Sequence, residues 1–579
     1  MANRFLQIKK SKRRDRTGFK SVRMAVMGDC ATQHLAEVLE GVGAEHSLDI
    51  EVFDADYDQI DALVLDRASE LYAFSADCIL IQNCVEKLYD RYLEYPSEKR
   101  GLFCEEVVGL MRSRWKRIGD TSRAMIIQTN YPEMDDRVFG DFANEVPGSF
   151  ISQLRRINVG LMDAAAASSK VRILDVCQIQ STMGRDCFFD PKLYCTSKIP
   201  CSLEALCSIG ESAIRTVRAM LGEMKKCVIV DLDNTMWGGV IGDDGLSGIE
   251  IGDLGIGAAF VSLQKWLKEL KGRGILLAVC SKNDLETAQE PFEKHDEMVL
   301  KLDDFAAFVA NWEDKASNIK AIQKELNIGM DSLVFIDDNP FERNAVRSLL
   351  PDVVVPELPD DPACYLPYLQ FCDLFTANAY SIEDKNRTEL YAAERSRRIA
   401  ESQYQSYEDY LEGLCMIAAV EPFDEMSIPR VAQLTQRSNQ FNLRTIRYSE
   451  AEISAIAASD DYLTAAFTLS DRFGDHGLIA LVILEKRGLD ELFIDSLIMS
   501  CRVLKRGMEE FVMNKIVDLA REHGFGRLVG EYIETKKNKM VAELYNNMGF
   551  TQSDGTYELL LADYAEKSTY IQEEENGDR

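Results

Sequence analysis

The stretch CVIVDLDNT runs an apolar segment straight into two carboxylates, Asp231 and Asp233. Residues i and i+2 at a strand end project to the same side, so both acids are expected to face one crevice. Two more apolar runs end the same way: LLAVC delivers Ser281, and LVFI delivers Asp337 and Asp338. Ligands of open parallel sheets bind outside the carboxyl ends of the strands, where these polar residues would converge. Carboxylates pressed together repel and shift one another's pKa values unless a cation shares the site. An Asp-rich set without His or Cys suits a hard ion, magnesium above all, which takes one or two carboxylates and keeps waters or substrate phosphate as its other ligands. Lys315, in NWEDKASN, offers a further positive charge to a phosphoryl group and to a nucleophilic carboxylate. Phosphoryl transfer demands positioning and charge neutralisation, and this set supplies both.

The elements that must position these residues follow from the pattern of apolar runs. Short runs at 24–27, 78–82, 124–127 and 171–176 alternate with helix-like stretches, which reads as an α/β domain with a parallel sheet over 22–220. A second α/β set carries the acidic strand ends over 225–375, with helical patterns such as AAFVSLQKWLKELKGRG between its strands. Residues 376–410 are charged and read as a helical connector. Residues 411–563 place the strand-like AAFTLSDRF, LIALVIL and LFIDSLIMSC before a helix, GMEEFVMNKIVDLAREHG, an α+β order. The basic start, 1–21, reads as a flexible arm and the acidic end, 564–579, as a frayed tail. About 45 residues separate Thr235 from Ser281 and about 33 separate Ser281 from Lys315; connecting elements consume most of each gap, so no large cap domain is expected.

The motifs DLDNT, CS, DK and DD match the haloacid dehalogenase (HAD) superfamily, and DLDNTMWGGVIGDDG resembles its FkbH-like subfamily. The resemblance implies that Asp231 is the nucleophile that forms an aspartyl-phosphate and that Asp233 is the general acid/base. It also implies that Thr235 and Ser281 hold phosphoryl oxygens. Asp337 and Asp338 would bind magnesium with Asp231 and the Asp233 main-chain carbonyl.

Composition sets limits on all of this. The chain has 579 residues, 46% hydrophobic and 28% charged, which implies several packed domains. A net charge of -30 argues against nucleic-acid binding, which needs a basic surface. Fifteen scattered cysteines without C-x-x-C spacing fit a reducing cytoplasm, and no apolar run is long enough to span a bilayer.

The flanking domains carry their own candidates. MGDC places Cys30 at a strand-to-helix turn that resembles the nucleophile turn of SGNH hydrolases, a flavodoxin-like α/β fold, with Cys in place of Ser. A helix amino end lowers a thiol pKa, so a thiolate nucleophile is chemically reasonable there. The late D-x-x-H of those hydrolases is lost, because DPKLY has Leu193 where His would stand. An acyl-holding thiol and an inert buried cysteine remain as readings of Cys30. Asn83 and Asn130 follow apolar strands and read either as oxyanion donors or as turn formers, while DPKLYCTSKIP, which resembles the FkbH-like amino region, puts Lys198 near the same edge. In the last domain SCRVLKRGME stands where GNAT acetyltransferases have R-x-x-G-x-G, the loop that cradles the coenzyme A pyrophosphate. Arg502 and Gly507 match that pattern and Lys505 replaces its first glycine, while Asn538 and Tyr545 fall in the family's closing segment. RSNQFNLR (437–444) and DRFGDHG (471–477) read as polar loops; His476 reads as a proton-transfer group or a satisfied turn histidine.

The resemblance spans about residues 22–563, and proteins of this arrangement are similar to glyceryl-transferring enzymes of polyketide pathways. It implies that a glyceryl unit from 1,3-bisphosphoglycerate is dephosphorylated at the central site and loaded onto an acyl carrier protein. Cys30 would be a candidate thioester and the last domain would receive the phosphopantetheine arm. Lys505, Arg506 and KKNK at 536–539 would form a basic docking patch for an acidic carrier. Two other classes stay open: a stand-alone phosphatase in polysaccharide or secondary-metabolite biosynthesis, and a non-catalytic carrier adaptor.

Overall fold

The structure, a computed structural model, describes residues 3–377, 397, 400, 404 and 406–574, apart from 439, 489, 501, 502, 536, 537 and 554. Most of the expected connector, 376–410, and Arg502 lie outside the described residues. The chain divides into two compact units, Met1–Arg218 and Ala219–Arg579.

The first unit is built on a parallel sheet of five strands: β1 (Lys20–Gly28), β2 (Leu48–Asp54), β3 (Cys78–Gln82), β4 (Met125–Thr129) and β5 (Val171–Leu174). Their order, β2-β1-β3-β4-β5, is a doubly wound one that reverses between β1 and β3. Helices cover both faces, so the central strands are buried and mostly apolar; all five residues of β3 are buried, the last of them Gln82.

The expected flexible arm is corrected here. Asn3–Ser11 forms a helix, and β1 already begins at Lys20. Phe5 and Ile8, three apart and therefore on one face, are both buried, Ile8 completely. The helix lies against Gln33–Glu45, where a side-chain carbon at Gly41 would sit 2.3 Å from the Ile8 carbonyl oxygen, so only glycine admits this approach. Arg4 pairs with Glu45 at 2.8 Å and Glu211 at 2.7 Å, and Lys9 with Glu37 at 3.0 Å. The basic charge that suggested a solvated arm thus neutralises acidic helices.

The second unit holds two sheets. One is four parallel strands, β6 (Cys227–Val230), β7 (Leu276–Ser281), β8 (Ala307–Ala310) and β9 (Leu333–Ile336), in the order β8-β7-β6-β9. Every residue of β6, β7 and β9 is buried, so these apolar runs end abruptly in the polar residues at their carboxyl ends. Between Thr235 and Ser281 stand only the short helix Ile241–Asp244 and the helix Gly257–Gly272; between Ser281 and Lys315 stand Leu285–Lys294, a single turn and β8. No further domain is inserted at either place among the described residues.

The other sheet has eight strands: β10 (Ile417–Glu421), β11 (Tyr462–Asp471), β12 (Gly474–Arg487), β13 (Glu491–Met499), β14 (Arg527–Glu531), β15 (Thr551–Ser553), β16 (Thr556–Leu560) and β17 (Gln572–Glu573). β13 and β14 run parallel, joined by the crossover helix Met508–Glu522, as parallel neighbours require. DRFGDHG is not a free loop but the tight β11–β12 hairpin, with Asp471 opposite Gly474. The acidic end is likewise more ordered than a frayed tail through Glu574: Ile571 is buried and β17 pairs with β10, with Gln572 N donating to Met416 O at 3.0 Å. Among the described residues no helix is long and apolar enough to cross a membrane.

Replacing Ile8 by Ala removes a fully buried side chain and is expected to lower the unfolding free energy of the first unit by about 2–5 kcal/mol. Denaturant melts of the full chain check this; a loss within about 0.5 kcal/mol, the size of a surface change, would mean that the helix is loosely attached.

Candidate active site

Asp231 leaves the end of β6 with its N–H on the Ile336 carbonyl at 2.9 Å, which extends the β6–β9 register by one residue. That bond sets Asp231 beside Asp337 and Asp338, the first residues after β9. Lys315 opens the helix Lys315–Leu326 and reaches both acids: its Nζ lies 2.7 Å from Asp231 Oδ2 and 2.5 Å from Asp337 Oδ2. The lysine and Asp337 are almost wholly buried, and Asp231 nearly so. Thr235, fully buried, donates to Asp338 Oδ1 at 3.3 Å and accepts from Asp338 N at 3.1 Å, so it clamps that residue.

Asp233 faces the same crevice but has different partners. Its Oδ1 accepts from Trp237 Nε1 and Ile241 N, both at 3.0 Å, and its Oδ2 accepts from Asn283 Nδ2 at 2.8 Å. Asn283 also donates to Ser281 Oγ at 3.3 Å and so ties the acid to the end of β7. The carboxylates that gather are those of Asp231, Asp337 and Asp338, with oxygens within 4.8 Å of one another; the Asp233 side chain is not in that cluster.

Sequence reasoning missed Asn283, although the i, i+2 rule that pairs Asp231 with Asp233 also pairs Ser281 with Asn283. It missed Arg343 as well, whose Nη1 donates to the carbonyls of Asp337 at 2.9 Å and Asp338 at 2.5 Å and fixes the acidic turn. An arginine six residues on, inside the helix Pro340–Leu349, carries no pattern that would reveal this contact.

The charges do not balance. Burial and the neighbouring Asp231 charge push the Asp337 carboxyl up to about 6, despite Lys315. Asp338 is raised for the same two reasons. Burial works against the Lys315 ammonium, yet Asp231 and Asp337 outweigh it and hold its pKa above the usual value. Asp231 Oδ1 is buried and has no hydrogen-bond partner. A lone buried carboxylate oxygen among three acids, two of which share one ammonium, fits a site for a hard divalent cation and for an electrophile.

In the first unit Cys30 is buried, and its thiol is pushed well up, first by burial and then by the Asp29 charge. This reverses the lowering expected from the helix amino end, because desolvation of a thiolate outweighs the dipole. Lys198 does lie at this edge: its carbonyl accepts from Ala31 N at 2.9 Å. Asn83 Nδ2 donates to Asp29 Oδ2 at 3.0 Å and its Oδ1 accepts from Gln128 Nε2 at 2.8 Å; Asn130 Nδ2 donates to Asp175 Oδ1 at 2.7 Å. Both amides tie strand ends together, the turn-forming reading. Cys84, which no motif singled out, donates to Glu86 Oε2 at 2.8 Å.

Around the eight-stranded sheet, Lys505 and Gly507 take left-handed backbone angles, φ 64° and 83°, and start the helix Met508–Glu522. Arg506 is buried, with Nη1 3.9 Å from Asp471 Oδ2, so it is not part of an exposed basic patch. Asn538 is fully buried: it donates to the carbonyls of Asn442 at 3.0 Å and Ile533 at 2.9 Å. Tyr545 is buried over Gly530, and its hydroxyl has no hydrogen-bond partner. His476 Nε2 lies 3.0 Å from Asp471 Oδ2, which Arg397 grips at 2.6 and 2.8 Å; burial lowers the histidine pKa, as for a satisfied hairpin histidine.

Asn283→Ala takes one donor from Asp233 and one from Ser281, and is expected to cost about 1–3 kcal/mol of stability in urea melts. An unchanged midpoint would show that water replaces the amide.

A family model described as FkbH, N-terminal domain, matches residues 23–218. Among solved structures the chain is similar to the N-terminal part of the protein BF1531 from Bacteroides fragilis, containing a phosphatase domain complexed with Mg; identity is 42% and the TM-score 0.62, over 65% of this chain and 99% of that one. It is also similar, over 26% of its length, to the ribosomal-protein-S18-alanine N-acetyltransferase from Escherichia coli, at 17% identity, 98% of that chain and a TM-score of 0.20. Over 24% it is similar to the GNAT domain of S. lividans PAT, at 20% identity, 87% of that chain and a TM-score of 0.20. No curated protein matches. With a 42% identical relative covered over 99% of its chain and the amino-terminal family match, this chain belongs to the FkbH family.

Proposed function

We propose that the chain is a magnesium-dependent phosphatase or phosphotransferase of the HAD type that works through an aspartyl-phosphate. The observation that carries this reading is the buried, unpartnered Asp231 Oδ1 beside Lys315 and the Asp337/Asp338 pair. Asp231, Asp337 and Asp338 would hold the magnesium ion, which when bound neutralises phosphoryl charge. Asp231 Oδ1 bonds to phosphorus as the ester oxygen departs with its electron pair. Asp233, oriented by Trp237, Ile241 N and Asn283, gives that oxygen a proton and afterwards takes one from the water that cleaves the aspartyl-phosphate. Lys315 holds Asp231 in place through the 2.7 Å ion pair, Ser281 would face the phosphoryl oxygens, and Thr235, bonded to Asp338, fixes the acidic turn.

The substrate in this reading is 1,3-bisphosphoglycerate: a thiolate takes its acyl group as the C1 phosphate departs, the central site hydrolyses the remaining phosphate ester, and the glyceryl group passes by thioester exchange to the thiol of an acyl carrier protein as the first thiol leaves. Resemblance to glyceryl-transferring proteins supports it. The burial of Cys30 favours a second reading, a stand-alone phosphatase that forms no thioester. Incubation with 1,3-bisphosphoglycerate and magnesium followed by intact-mass and peptide analysis separates the two. A glyceryl adduct on a cysteine supports transfer, and phosphate release without any adduct supports the phosphatase alone.

Asp231→Asn is expected to abolish phosphate release, by at least about a thousandfold, while the melting temperature stays near that of the parent. Turnover within about tenfold of the parent would remove Asp231 as the nucleophile.

The raised Asp337 pKa predicts a pH dependence. Its folded value, about 6, lies above the usual carboxyl value of 3.8, so ionising it destabilises the metal-free fold as pH rises through that range. A bound cation removes the cost but must displace the proton at low pH. Magnesium affinity, read by calorimetry, is therefore expected to fall about tenfold per unit below pH 6 and to level off above pH 7. A flat profile from pH 5 to 8 would contradict the assignment of Asp337.

A further inference from the structure

β13 and β14 pair in parallel from Glu491–Arg527 to Ile494–Gly530 and then part. Strand edges that diverge leave N–H and C=O groups in need of partners. Here a single segment of the chain, Phe441–Arg444, supplies them on both sides. Asn442 bridges Ile498 in antiparallel fashion, and Met499 N donates to Phe441 O at 3.2 Å. On the other side Ile533 N donates to Leu443 O at 2.9 Å, and Asn538 Nδ2 to Asn442 O at 3.0 Å. At the apex Arg444 joins the first residue beyond each pairing: its Nη1 donates to Asp495 O at 3.0 Å and Oδ1 at 2.7 Å, and its Nε to Glu531 Oε2 at 2.8 Å. Phe441, Asn442 and Leu443 are 3%, 2% and 1% exposed, the burial of a core strand rather than of a loop laid on the surface.

A second observation concerns the start of the helix Met508–Glu522. Lys505 N, two residues before the N-cap Gly507, donates to Glu509 Oε1 at 3.0 Å, which sets a carboxylate in the first turn of that helix. The carbonyls of Lys505 and Gly507 accept from Tyr407 Oη at 2.8 Å and Thr569 Oγ1 at 3.0 Å.

A pantetheine arm, on coenzyme A or on a carrier protein, is an extended amide-bearing chain that ends in phosphate. Strand edges recognise such chains by pairing with their amides, and helix amino ends recognise phosphate. We infer that Phe441–Arg444 closes the split between β13 and β14 to pantetheine-bearing ligands, so that this domain excludes acyl-coenzyme A instead of consuming it. The inference rests on the backbone pairing of one sheet and is independent of the phosphatase reading. Any reception of a carrier's arm by this domain would then lie away from this split.

Hydrogen exchange on the full chain tests this, with coenzyme A at about 1 mM as the probe. The amides of Met499 and Ile533, which bond to Phe441 and Leu443, are expected to exchange as slowly as those of the β12–β13 ladder, with the probe and without it. Fast exchange at these two amides, or a change there or at 441–444 when coenzyme A is added, would overturn the inference. Free 4′-phosphopantetheine in a parallel run tells whether any such change comes from the arm or from the nucleotide.

Discussion

A buried ammonium shared between two carboxylates governs the central site. Lys315 cannot balance Asp231, Asp337 and Asp338 together, and Asp231 and Asp337 are too buried for water to screen their charges. The imbalance has a direction. Burial should discharge the lysine, but two acids hold its proton; burial and Asp231 should protonate Asp337, and the lysine only limits the effect. A site in this condition gains from one more cation and offers an electrophile a carboxylate oxygen that nothing else engages.

Holding like charges together takes structure. The β6–β9 register sets Asp231 next to the acidic turn, Thr235 clamps Asp338, Arg343 holds the carbonyls of that turn, and Asn339 N donates to Asp337 Oδ1 at 2.8 Å. Asp233 stands apart from the cluster with its own donors, which separates it from the acids that gather charge.

The remaining buried polar groups mark the contrast. Asn83, Asn130 and Asn538 bond to other parts of the chain, and the Asp471 carboxylate is taken by Arg397 and His476. Such groups have spent their hydrogen-bonding capacity on the fold, whereas Asp231 keeps one oxygen free. Burial in itself therefore does not distinguish a site from a structural tie; a free oxygen gathered with two further acids and an ammonium does.

The sequence alone determined the apolar strands that end in Asp231, Ser281 and Asp337, because a strand buried on both faces must be continuously hydrophobic and its polar end then stands out. It likewise determined that these ends share one crevice, since parallel strands bring their carboxyl ends to one side of the sheet. Whether Asp233 joins the cluster, that Asn283 and Arg343 serve it, that the basic start packs as a helix and that Asn442 bridges β13 were decided by tertiary structure. Each depends on which group a side chain or amide meets across the fold, and that pairing leaves no period in the chain. For Cys30 local pattern and tertiary setting point in opposite directions: a helix amino end favours a thiolate, and burial beside Asp29 keeps the proton on, because the cost of desolvating a charge exceeds what one helix terminus returns.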